Sequence, residues 1–103
     1  MALANASAVA VATATWVTVA TVTGDGTKQI IGASLSCDDA AQAFQMRIQI
    51  NASNIVAPMN VPAGQTGVIY DSPTTIPNTQ ACVVQAYQAS GSSKNFSGTL
   101  LGS

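Results

Sequence analysis

A chain of 103 residues with 7% charged residues, a net charge of −1 and no histidine lacks the basic footprint by which proteins hold nucleic acid or anionic membrane surfaces. The missing histidine also removes the commonest general base, the Ser-His and Cys-His nucleophile pairs and the commonest transition-metal ligand. Ordinary soluble domains are about 25% charged, so solubility here falls to Thr, Ser, Asn and Gln, and so neutral a surface is suited to touching other protein.

Residues 1–24 carry no charge. A membrane span needs about 20 strongly apolar residues, and Thr13, Thr15, Thr18, Thr21 and Thr23 dilute the run. No Lys or Arg precedes it as in a secretory signal. Odd positions from Val9 to Thr23 are β-branched, which predicts a long strand broken in two. Ala8, Ala10, Ala12 and Ala14 make one face of it nearly flat. Residues 1–15 are therefore expected to form an N-terminal arm or edge strand, and residues 16–103 a single β-sandwich domain.

Gly24-Asp25-Gly26-Thr27 reads as a turn. The strand that follows, Lys28 to Asp38, would turn Ile31, Ala33, Leu35 and Cys37 inward, and Asp38 to Gln42 is a short connection. Phe44-Gln45-Met46-Arg47-Ile48-Gln49-Ile50-Asn51 has large apolar residues at every even position and polar ones at every odd position. That is the period of a strand with one dry face, and it predicts a central strand around which the others pack.

Ile55, Ala57, Met59 and Val61 alternate again, but Pro58 and Pro62 cannot donate to a ladder and assign this strand to an edge. Val68-Ile69-Tyr70 is a short strand, and residues 71–78, with Pro73 and Pro77, read as a loop between sheets. Thr79 to Ala89 places Cys82, Val84 and Ala86 on one face. After the Ser90 to Ser93 turn, Lys94 to Leu101 places Phe96, Gly98 and Leu100 together. Seven or eight short strands with no convincing helix imply an all-β, antiparallel, jelly-roll-like sandwich with an extended N-terminal arm.

Chemistry is sparse. Adjacent residues of a strand point to opposite faces, so Asp38 and Asp39 are expected in a solvated turn rather than as an acid and base pair. Gly24-Asp25-Gly26 lacks the alternating ligands and closing Glu of a calcium loop; Asp25, Asp38, Asp39 and Asp71 would bind a cation only if folding gathered them. Cys37 and Cys82 could pair, but their spacing matches neither a dense disulfide scaffold nor a zinc site, and the preferred reading is two small buried hydrophobes, with bonded or free left open. Asn51-Ala52-Ser53 fits a glycosylation acceptor and has meaning only on a secretory route. Trp16, Tyr70 and Tyr87 suit a sugar-stacking face or a core or interface anchor. With so few aromatics, the anchor is preferred, and Trp16 is expected to serve the core.

The Met1-Ala2-Leu3 start, the Thr-rich strands, the Val61-Pro62-Ala63-Gly64-Gln65-Thr66 turn before Val68-Ile69-Tyr70 and the Gly/Ser-rich last hairpin resemble the small jelly-roll cement or decoration proteins on heads of tailed bacteriophages. The resemblance implies a structural virion protein, not an enzyme, without cofactor, catalytic residue or metal. Such a protein is made in the host cytoplasm and resides on the capsid surface at capsomer junctions. Its partners would be itself, as a homo-oligomer with a trimer favoured, and a major capsid protein, with no nucleic acid and no membrane. On this reading the arm supplies the protein interface through Leu3, Val9 and Val11, and Trp16 anchors it. The alternative is a carbohydrate- or receptor-binding β-domain of a phage tail or bacterial surface structure.

Overall fold

The computed structural model describes residues 2–103, with only the backbone described for Ala2 and Asp71. Met1, and the Asp71 carboxylate considered above as a cation ligand, lie outside the described residues. Eight strands are formed: β1 (Ala2–Val11), β2 (Val17–Thr23), β3 (Gln29–Cys37), β4 (Phe44–Ile50), β5 (Ser53–Val61), β6 (Gly67–Thr75), β7 (Ala81–Tyr87) and β8 (Lys94–Gly102). They make two four-stranded antiparallel sheets, ordered β1-β8-β3-β6 and β2-β7-β4-β5. Two interleaved four-stranded sheets of this order are a jelly roll.

The fold follows from the two-residue period. Phe44, Met46, Ile48 and Ile50 are all buried, and β4 lies inside its sheet between β7 and β5. Cys82, Val84 and Ala86 of β7 share that inner face, and Phe96 and Leu100 of β8 meet them from the opposite sheet. The sheets are joined at the centre by Phe44 and Phe96, whose rings stand edge to face with centroids 5.0 Å apart, a preferred aromatic geometry. Toward one edge, Gly67 lets β6 come close: a Cβ there would sit 2.4 Å from the Met46 sulfur of the facing sheet.

Several expectations are corrected. Residues 2–11 are not a free arm but the edge strand β1, paired with β8 from Ala2 opposite Leu101 to Val11 opposite Lys94. Of the two possibilities for this segment, the edge strand holds, because an alternating Ala/Val strand can satisfy its backbone and bury Val11 only in a sheet. Ile30 rather than Ile31 takes the first core position of β3, because the ladder shifts register between Ile30 and Gly32. Residues 71–75 belong to β6 and not to a loop. Pro73 is accommodated because β6 is an edge strand with a register shift opposite Ile31, where a missing donor is tolerated. Asp38 to Gln42 is, as expected, a short connection, made of a bend and a turn.

One polar side chain among the described residues is buried. Gln88 donates through Nε2 to the carbonyls of Val11 (3.0 Å) and Ser92 (2.9 Å), and its Oε1 accepts from Ser90 N–H (2.7 Å). Ala14 N–H donates to the Gln88 carbonyl at 2.7 Å. The chain leaving β1 is thereby tied to the chain leaving β7, on the other sheet.

Candidate functional site

The three aspartates whose side chains are described are all engaged in hydrogen bonds, Asp25 at one end of β3 and Asp38 and Asp39 together beyond the other. Asp25 Oδ1 accepts from Thr27 Oγ1 (2.7 Å), Thr27 N–H (2.8 Å) and Lys28 N–H (3.0 Å), and these bonds hold its carboxyl down at about 2. It caps a turn at one end of β3. Beyond the other end, Asp38 Oδ1 accepts from Asn95 N–H at 3.2 Å. Asp39 pairs with Lys94 at 2.8 Å and accepts from Ala41 N–H at 2.9 Å, and its carboxyl is lowered chiefly by the Lys94 bond. A carboxyl so lowered stays ionised and cannot serve as a general acid near neutral pH. Among the described residues no three His, Cys, Asp or Glu side chains gather as a metal site.

Cys37 and Cys82 are free thiols. Cys82 is fully buried and Cys37 half-buried. Burial raises both, Cys82 to about 11, so neither is an activated nucleophile.

The assembled chemistry lies on the outer face of β2-β7-β4-β5. Because Phe44, Met46, Ile48 and Ile50 face the core, Gln45, Arg47 and Gln49 face away from it. Register then aligns rows across the strands: Asn60, Gln45 and Tyr87 in one, Arg47, Gln85 and Thr18 in the next. Arg47 Nε donates to Gln85 Oε1 at 2.8 Å, and Gln85 Nε2 donates to Thr18 Oγ1 at 3.1 Å. The Arg47 guanidinium lies 4.0 Å over the Trp16 ring, and Trp16 meets Tyr87 at 5.4 Å between centroids. Trp16 is thus outside the core, contrary to expectation. Phe44 and Phe96 supply the core aromatics, and Trp16 closes the outer face where the chain crosses from β1 to β2. Beside Tyr87 is a groove of about 430 Å³, lined by Gln42, Gln45, Asn60, Pro62 and Ala89 among others.

A second surface lies along one flank. β1 packs over β2, β8 over β7 and β3 over β4, which leaves β5 and β6 as the edges of the opposite flank. There Ile55, Val56 and Met59 are half-buried, Val68 is 44% exposed and Tyr70 74% exposed. The interface residues expected from the sequence are elsewhere. Leu3 and Val9 pack against the core, Val11 is wholly buried, and Trp16 is stacked under Arg47.

Tyr87 is among the stacking candidates the sequence offers, but the Gln45 and Asn60 amides across from it are not. The signal lay in the odd positions of β4, the complement of the core pattern. Comparisons with protein-family models, with curated proteins and with solved structures found no match.

Proposed function

We propose that this protein is a structural, non-catalytic subunit of the phage-head decoration type, which joins copies of itself through the β5/β6 flank and seats on a capsid shell to reinforce it. The observation that carries the reading is that flank: half-buried Ile55, Val56 and Met59 on β5 and exposed Val68 and Tyr70 on β6, each an edge strand of its sheet among the described residues. Apolar surface at an open edge is what a soluble domain ordinarily covers or charges. Here the chain supplies almost no charge to guard it. Apolar burial contributes about 25 cal/mol per Å² before the costs of association, so each contact is modest and a symmetric lattice of copies multiplies it.

The test is the native mass in solution by light scattering at several concentrations, beside the doubly substituted Val68→Lys/Tyr70→Lys protein. The expected result is a closed oligomer, with a trimer favoured, that the double substitution reduces to a monomer with an unchanged circular dichroism spectrum. A wild-type monomer at every concentration up to about 1 mM would overturn self-association through this flank.

A further inference from the structure

We infer that the groove beside Tyr87, at the end of the sheet where β4 begins and β5 and β7 finish, is a binding site for a neutral oligosaccharide. This goes beyond the structural role, which uses the β5/β6 flank, and neither depends on the other.

The groove combines a half-exposed aromatic ring with uncommitted amides. Tyr87 forms one wall, with its ring braced by Trp16 at 5.4 Å. Gln45 lies directly across the ladder from Tyr87, and Asn60 directly across from Gln45. Neither Gln45 nor Asn60 has a side-chain hydrogen bond among the described residues, whereas the neighbouring Gln85 and Gln49 are engaged with Arg47, Thr18 and Asn54. Of the four amide side chains that line the groove, Gln42 is bonded to the Ala43 carbonyl and Gln88 is buried in its own bonds, which leaves Gln45 and Asn60 free to meet a ligand.

An amide offers a carbonyl acceptor and two N–H donors at one position. A sugar ring carries hydroxyls, each donor and acceptor, around its rim, and presents C–H groups on its faces. The C–H face packs on an aromatic ring while the rim hydroxyls exchange bonds with the amides. At about 430 Å³ the groove falls in the range of small-ligand clefts, about 300–1,000 Å³.

The charge pattern excludes the competing stacking ligand. A nucleic-acid strand needs a cationic track for its phosphates. The single cation of this face, Arg47, is stacked on Trp16 and bonded to Gln85. No carboxylate lines the groove, so a cationic ligand has no partner there either. A neutral polyol with an apolar face matches what remains.

Trp16 is the only tryptophan and touches the Tyr87 wall, so its fluorescence reports occupancy. The full chain is titrated separately with cellohexaose, chitohexaose, maltohexaose and mannohexaose, followed by Trp16 emission and by side-chain amide NMR signals. At least one of these sugars is expected to bind with a Kd of about 1 mM or tighter, shifting the Gln45 and Asn60 amide signals. Tyr87→Ala should weaken it about tenfold or more, and Tyr70→Ala, on the other sheet, should leave it unchanged. Should Tyr87→Ala fail to fold, Gln45→Ala, which removes nothing from the core, is expected to weaken binding about threefold to tenfold. The proposal is overturned if none of the four sugars binds at about 10 mM, or if binding survives both Tyr87→Ala and Gln45→Ala. Sugar binding that tracks Tyr70 instead would also overturn it.

Discussion

The two sheets are alike on their inner faces and unlike on their outer ones. Inside, both alternate buried apolar residues, and either could be taken for the other. Outside, β1-β8-β3-β6 carries a row of short side chains, Asn5, Thr99, Ser34 and Val68, aligned across its four strands with one Thr99-to-Asn5 hydrogen bond of 2.7 Å. Its exposed Tyr70 stands at the β6 edge, outside any ring stack among the described residues. The outer face of β2-β7-β4-β5 carries long amides, an arginine and two aromatic rings locked into a network. The inner faces fix the fold and must match each other. The outer faces are free of that constraint, and only one of them has acquired reach and hydrogen-bonding capacity.

If the inner faces are equivalent, Phe44→Ala and Phe96→Ala should destabilise by similar amounts, about 3–5 kcal/mol each, measured by chemical denaturation. A difference of more than about 2 kcal/mol between them would mean that one sheet dominates the core. Next comes the link between sheets. Gln88→Leu keeps the volume but removes the side-chain partner of the Val11 carbonyl and of the Ser90 N–H, while the Ser92 carbonyl keeps its bond from Ser90 Oγ. It should cost about 2–3 kcal/mol, with hydrogen exchange accelerating first in β1. Uniform acceleration throughout the domain would show that β1 has no separate dependence on that link. The smallest effects sharpen the contrast between outer faces. Arg47→Ala should cost about 1–2 kcal/mol through its stacking and hydrogen bond, while Ser36→Ala should stay within about 0.5 kcal/mol. Equal costs would erase the distinction.

How much of this could be read from the sequence depends on whether a feature is local. The two-residue period of Phe44 to Ile50 and of the Thr79 to Ala89 stretch located the two interior strands of one sheet and their buried faces, because alternation is a property of each strand alone. Pro58 likewise placed β5 at an edge, by removing a donor. The fate of residues 2–11 was not legible, since a neutral Ala/Val ribbon pairs equally well with its own chain or another, and only the vacancy beside β8 decides. Pro73 misled for a related reason: a register shift at an edge accommodates it, and register is a property of pairs. The groove was hidden for the same cause. Tyr87, Gln45 and Asn60 become neighbours only when β7, β4 and β5 are ordered side by side, although the outward positions of β4 were available from the alternation that buried the inward ones.

The pairing scheme also dictates an order of events. β4 with β5 is the one pairing between consecutive strands; β3 with β6, β2 with β7 and β1 with β8 enclose it in successive, ever longer spans. Closing a long span is entropically costly unless shorter ones have closed first. The chain should therefore assemble outward from the Asn51-Ala52 turn, and β1, which is synthesised before the other seven strands described, is the last to find its partner. Until β8 emerges, β1 remains an unpaired strand with a sheet-forming sequence, and the interval before it docks is when the molecule is most exposed to pairing with the wrong chain.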